Sequence, residues 1–439
     1  MNYGTLKAIG VSETPIVFTS FLDDEYGGDS NSDGNSSLPA PGNWLSLYFA
    51  KESQNSQMEN VVIRYGGAVL GSSPLGWGHA VWADGADISI KDSVIEKNKN
   101  RALTLVNSHS IIDNVRFLDN NSTSWPSGFD ESKALLVKGG KPQIKNSYFE
   151  GNSQALYIES YFDPDINAVV SAEPVIENNE FVKNGSAIDL AGESYPLFSG
   201  NVATENTYNA VTLGFDFSKN AVLKPDLPYL IRGRVLSVAE NTTLTLEPGV
   251  ILQFRDNLSG LKIDGTLKAV AVRETPIIFR SYYYDRDWVL PGNWLGLKFT
   301  EKSRNSELEN IEISLGGGYY VIPSSNDFSS AIKVEQSAIS LKNSKIFDNA
   351  NNGLWLVNSS SVIDNVDFEN HLIETTGQDP RGILVQGGKP EIKNSLFKNN
   401  YYGIYLKTWT DPATGKEIPA EPVLENNEFD HNLAGDVYP

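Results

Sequence analysis

The chain has 439 residues, no cysteine, four histidines, and 35 basic against 55 acidic side chains, for a net charge of −20. That composition excludes disulfides, thiolate metal sites and a cysteine nucleophile, and it argues against a nucleic-acid footprint or docking on anionic lipid. His79, His109, His371 and His431 lie far apart, and no apolar run approaches the ~20 residues of a membrane span.

Taken in order, the first segment is GTLKAIGVSETPIVFTS from Gly4, followed by a loop from Phe21 to Trp44 and by PGNWLSLYF from Pro41. All of this returns later. GTLKAVAVRETPIIFRS starts at Gly265, an offset of 261, and PGNWLGLKF starts at Pro291, an offset of 250. KNSYFEGN and AEPVIENNEF recur at offset 248, and LAGESYP (Leu190) is matched to LAGDVYP (Leu433) at 243. The falling offset reads as deletions in the second copy, the largest being 11 residues between the TPI and PGNW segments. The expected organisation is two copies, residues 1–196 and 197–439, sharing one core, with flanking repeats of a longer chain at either end.

Inside each copy a shorter period runs: MENVVI (Met58), IKDSVI (Ile90), IDNVRF (Ile112), IKNSYF (Ile144) and IENNEF (Ile176). The second copy has LENIEI (Leu308), LKNSKI (Leu341), IDNVDF (Ile363), IKNSLF (Ile392) and LENNEF (Leu424). The spacings are 32, 22, 32 and 32 residues, then 33, 22, 29 and 32. About 22 residues make one turn of a parallel solenoid, and the larger values fit a turn carrying a loop. Between the motifs lie alternating segments such as ALTLVN, ALLVKG, GLWLVN and GILVQG, which read as strands. Helical periodicity is hard to find.

Asparagine tolerates left-handed backbone. Asn60, Asp92, Asn114, Asn146 and Asn178 are therefore read as one inward ladder, continued by Asn310, Asn343, Asn365, Asn394 and Asn426. The alternative is a polar binding row.

The predicted fold is all-β: a right-handed parallel β-helix forming a single continuous rod of roughly fifteen coils, each ~4.8 Å above the last. The motifs resemble right-handed parallel β-helix proteins, the superfamily that includes the pectate-lyase-like folds. The run from Asn241 to Phe299 is most similar to β-helix repeat segments of large bacterial secreted or cell-surface proteins. That resemblance implies a secreted or cell-surface location and leaves function open.

The loop Phe21–Trp44 carries Asp29-x-Asn31-x-Asp33-Gly34, with Asp23 and Asp24 upstream. Alternating oxygen ligands closed by glycine suit a hard cation, so one Ca2+ site is expected on Asp23, Asp24, Asn31, Asp29 and Asp33. The bidentate glutamate of an EF-hand is absent, Ala40 standing in its place. The surface segments that this chain resembles often carry such a loop. The second copy keeps only Asp285 and Asp287, so no second site is expected there. The alternative is a solvated polar loop.

Aromatic residues near loops form a second candidate site: Trp77, Trp125, Tyr161, Tyr283, Trp288, Tyr320 and Trp409. Exposed rings on a rigid rod can stack on a polysaccharide or cell-surface glycan, and the alternative is that they cover the coil flank. Trp44 and Trp294 recur at one repeat position and read as structural. A lyase or glycoside hydrolase would need converging carboxylates, for which Asp84, Asp87, Asp113, Asp119, Asp130, Glu131, Asp163 and Asp165 are available. No unique acidic cluster joined to a basic residue stands out in the sequence. The favoured function is a calcium-stabilised extracellular scaffold or adhesin, with the polysaccharide lyase or hydrolase as runner-up.

Overall fold

The structure is a computed structural model that describes residues 4–34, 36–69, 78–121, 132–318, 328–372 and 379–439. Among these residues every regular element is a β-strand. The chain forms two compact units, Met1–Thr212 and Leu213–Pro439.

Each unit is wound from three parallel ladders. In the first unit one ladder runs through Leu47–Phe49, His79–Asp84, Arg101–Ser108, Lys133–Gly140, Gln154–Glu159 and Ser186–Ala191. A second stacks the repeated motifs, pairing Met58 with Ile90, Ile90 with Ile112, Ile112 with Ile144 and Ile144 with Ile176. The third carries Phe117, Phe149 and Phe181 one above another. In the second unit Leu308, Leu341, Ile363, Ile392 and Leu424 pair in the same way. The motif spacings are therefore the coil lengths.

In-register winding puts like over like. The Phe117 and Phe149 rings stack with centroids 4.6 Å apart and planes 3° off parallel, and Phe149 and Phe181 do so at 4.9 Å. Phe368 and Phe397 repeat the arrangement at 5.2 Å in the second unit. All five rings are wholly buried. Stacked aliphatic and aromatic side chains along the axis supply the apolar burial that holds each coil to the next.

The ten ladder positions are indeed left-handed, with φ between 48° and 56°. Their direction differs from the expectation. The side chains of Asp92, Asn114, Asn146 and Asn178 are exposed, so the row faces outward. It still bonds from coil to coil: Asn114 Nδ2 donates to Asp92 Oδ1 at 2.6 Å, Asn146 Nδ2 to Asp113 Oδ1 at 2.8 Å, and Asn365 Nδ2 to Asn343 Oδ1 at 2.8 Å. A left-handed residue at a sharp corner turns its side chain out and sends the following residue in, and Val61, Ser93, Val115, Ser147 and Asn179 are the buried ones.

The inward asparagine ladder lies three residues after the ring position. Asn98, Asn120, Asn152 and Asn184 follow Ile95, Phe117, Phe149 and Phe181. Each is buried. Asn120 Nδ2 donates to Asn152 Oδ1 at 3.2 Å and Asn152 Nδ2 to Asn184 Oδ1 at 2.9 Å. The same oxygens accept the backbone N–H of the coil before, Asn120 N to Asn152 Oδ1 at 3.0 Å. From Asn98 to Asn184 the ladder amides thus satisfy one another and the corner backbone N–H groups.

The match of LAGESYP to LAGDVYP does not survive. Gln154 pairs with Ser186 in the first unit, and Tyr402 at the same repeat position pairs with Gly435 in the second. GDVYP therefore corresponds to SAIDL at offset 249, and no extra deletion occurs there. Trp294 is fully buried, stacks on Phe254 at 3.9 Å and donates from Nε1 to Ser314 O at 2.9 Å. Trp44 makes the equivalent bond to Arg64 O at 2.8 Å. Both tryptophans have the structural place expected of them.

Candidate functional site

One loop position, between the TPI strand and the PGNW turn, is built differently in the two copies. In the first unit the loop folds over its own carboxylates. Asp33 N donates to Asp29 Oδ1 at 3.1 Å and Gly34 N to Asp29 Oδ2 at 2.9 Å, with Ser32 and Gly34 at positive φ to close the turn. Ser37 Oγ donates to Asp33 Oδ2 at 2.6 Å. These bonds bring carboxylate oxygens of Asp24, Asp29 and Asp33 within 4.8 Å of one another.

Two of these oxygens, Asp24 Oδ1 and Asp33 Oδ1, are buried without a hydrogen-bond partner. An orphaned carboxylate oxygen is costly, and a second beside it more so. Burial, together with Asp29, Asp33 and Asp23, holds the Asp24 carboxyl above its usual range. A hard divalent cation bound by oxygens fits this arrangement: it would satisfy both orphans and reverse the repulsion.

Asn31 lies at the edge of the cluster, accepting from Asp33 N at 3.4 Å and donating to Ser37 Oγ at 2.9 Å. Asp23 is placed elsewhere. It is 3% exposed, accepts a hydrogen bond from the Thr19 hydroxyl and lies 3.5 Å from Arg64 Nε.

In the second unit the shorter loop presents rings. Tyr283 and Trp288 lie with centroids 5.0 Å apart, tilted by 48°, and Trp288 is 63% exposed. They border a cleft of about 550 Å3 whose other walls include Arg255, Asp256, Asn257 and Leu290. Aromatic walls with a few convergent polar groups are the usual make-up of a small-ligand site.

Tyr161 stands in the hairpin of Tyr161–Asp163 with Ala168–Val170, projecting from the first unit. It lines a cleft of about 360 Å3 with Tyr48, Lys51, Asp84, Asn107, Asp163 and Asp165. Tyr48 Oη donates to Asp84 Oδ2 at 3.1 Å, and Lys51 Nζ lies 3.7 Å from Asp165. Burial, then Asp163, Asp84 and Asp165, pushes the Tyr161 hydroxyl up. Winding thus gathers three carboxylates and a lysine that are dispersed along the sequence.

Trp409 occupies the corresponding hairpin of the second unit, Trp409–Thr410 with Glu417–Ile418, but is only 8% exposed. Its Cβ packs against Gly387, where an added methyl would come within 2.7 Å. It covers the coil, the alternative already weighed for the loop rings. Trp77, Trp125 and Tyr320 lie outside the described residues.

A further aromatic row escaped the sequence reading. Lys333 pairs with Trp355 across one ladder step, and Leu384, Tyr405 and Tyr438 follow in register. Lys333 Nζ sits 4.2 Å from the Trp355 ring centre, the Arg381 guanidinium 4.4 Å from that of Tyr405, and Tyr405 stacks on Tyr438 at 5.0 Å. Alternation within each strand was the available signal, since the buried Leu354, Leu356 and Ile404 leave Trp355 and Tyr405 on the outer face.

A model described as "Right handed beta helix region" matches residues 47–224 and 330–433. No curated protein matches. Among solved structures, the A-module of the mannuronan C-5 epimerase AlgE4 of Azotobacter vinelandii is similar over 90% of this chain and 88% of that one, at 11% identity and a TM-score of 0.17. So low an identity and score carry no argument about this chain. The family model covers more than half of the sequence, and the chain belongs to the right-handed β-helix family.

Proposed function

We propose that the chain is an extracellular β-helix scaffold, braced by calcium in the first unit and gripping a polysaccharide through the second. The observation that carries this reading is the loop built twice. The first copy closes on Asp24, Asp29 and Asp33 with two oxygens lacking partners, and the second opens Tyr283 and Trp288 beside a polar cleft. Each loop rises from the parallel coil of its own unit, so the ligand would meet a preformed surface that loses little entropy on binding. Surface display or adhesion is the role that such a scaffold serves.

A second reading rests on the cleft of Asp84, Asp163 and Asp165. Carboxylates beside a lysine and two tyrosines are the raw material of glycoside hydrolysis, in which one acid protonates the leaving oxygen and another activates water or attacks the sugar. One assay separates the two. The chain, in calcium, is applied to a glycan array, and the bound glycans are then tested for release of reducing ends. Binding that falls with Trp288→Ala, without release, supports the scaffold. Release that disappears with Asp163→Asn supports the hydrolase. Failure to bind any glycan removes the polysaccharide from the first reading.

A further inference from the structure

Asp24 sits between two residues that pair with the same guanidinium. Arg64, which ends strand Val61–Arg64, is 2% exposed. Its Nη1 lies 2.8 Å from Glu25 Oε2, and its Nε lies 3.5 Å from Asp23 Oδ2 and 3.4 Å from Glu96 Oε1 on the next coil. Its Nη2 donates to Tyr65 Oη at 2.6 Å. The Tyr65 and Tyr26 rings flank the guanidinium at 4.6 and 5.4 Å. A cation this deep is stable only when paired, so Asp23 and Glu25 are held firmly where they are.

The second copy shows what the coil needs without the loop. Ser314 stands at the place of Arg64 and Phe347 at that of Glu96, and the loop is 11 residues shorter. Strand Ile311–Ser314 nevertheless pairs in register on both sides. The arginine therefore serves the loop rather than the winding.

We propose that Arg64 is the positioning residue of the cation site. By pinning Asp23 and Glu25 to the coil it fixes the intervening Asp24 against Asp29 and Asp33. This rests on the calcium reading above. Partners behind the ligands commonly govern metal affinity by about 10–100-fold.

The test uses the whole chain. Calcium is titrated calorimetrically, and melting is followed with and without calcium. The intact chain takes up calcium and melts higher in its presence; no calcium response in that chain overturns both the calcium reading and this proposal before any variant is made. Arg64→Ser, the residue the second copy already carries, is expected to melt cooperatively without calcium, to bind it on the order of tenfold more weakly, and to lose most of the calcium-dependent rise in melting temperature. Arg64→Lys should recover part of both. An arginine that merely held the fold together would lower melting equally with and without calcium, and unchanged affinity in Arg64→Ser overturns the proposal. Should that variant fail to fold, Glu25→Gln decides: its side chain is 62% exposed, weaker calcium binding supports the pin, and wild-type binding overturns it.

Discussion

His371 Nδ1 lies 2.8 Å from Asn400 Oδ1, deep in the second unit, at the ladder place that Asn120 fills in the first. The backbone N–H of His371 donates to the same oxygen at 3.1 Å, as that of Asn120 does to Asn152 at 3.0 Å. Since Oδ1 can only accept, Nδ1 carries the proton and Nε2 is left as a bare acceptor. That nitrogen is buried with no partner and faces Gly353.

An imidazole so placed makes the protein sensitive to acid. Burial drives the His371 value down from 6.5 to about 4, a pull the Asn400 bond only partly opposes. The neutral form is the one the fold accepts. Its contribution is complete above pH 6.5 and is lost as the pH falls from 6.5 toward 4. His79, buried against Thr104 and near Arg101 and Lys138, is pushed down to about 3 and adds loss in the same direction. Denaturant midpoints measured from pH 7.5 to 4 should fall steadily. His371→Asn restores an amide to the ladder and should flatten, though not abolish, that slope; an unchanged slope would remove His371 as the cause.

The asparagine ladder itself can be broken at Asn152. Its Oδ1 accepts from both Asn120 N and Asn120 Nδ2, and its Nδ2 reaches Phe117 O at 3.0 Å. Asn152→Ala strands all of these groups in the core, each at about 1–3 kcal/mol. Asn146→Ala, one coil corner away but exposed, loses a single outward bond to Asp113 and some left-handed preference, which should amount to about 1 kcal/mol. Equilibrium unfolding of the two variants should rank them in that order, and equal destabilisation would contradict the inward and outward assignment.

That assignment marks the limit of what the sequence discloses. Coil length is legible because a motif must return whenever the chain passes the same corner, so Ile90, Ile112, Ile144 and Ile176 announce their own pairing. The face of a residue is not legible in the same way. Asn178 and Asn179 are neighbours of one type; the first serves for its backbone and points out, the second for its amide and points in. Composition made the acidic loop visible, yet Asp23 belongs to Arg64, 41 residues away, and only winding brings them together. Asp84, Asp163 and Asp165 converge for the same reason. LAGESYP and LAGDVYP are alike in letters only, because they fall at different places along the coil.

Gly66 and Gly316 leave room for the two structural tryptophans. A Cβ added to Gly66 would come within 2.7 Å of the Trp44 ring and 2.9 Å of Ala80, and one added to Gly316 within 2.9 Å of Trp294. Gly66→Ala and Gly316→Ala should each cost about 1–3 kcal/mol by overpacking and shift the emission of the neighbouring tryptophan. Gly4, with nothing within 4 Å, provides a control that should be neutral.

Two tryptophans from the same set of loop aromatics should behave in opposite ways. Trp409 is 8% exposed and Trp288 63%. Removing a buried indole takes away packing over Gly387, so Trp409→Ala should lower stability by about 3–5 kcal/mol, with glycan binding per folded molecule unchanged. Trp288 rests on Tyr283 at the lip of the cleft and supports little else, so Trp288→Ala should leave the melting temperature nearly unmoved while weakening glycan capture. Melting curves and array binding, measured on both variants, read the two effects separately. If Trp288→Ala lost stability and kept its glycans, the ring would belong to the loop's own packing and the cleft would lose its claim as the contact surface.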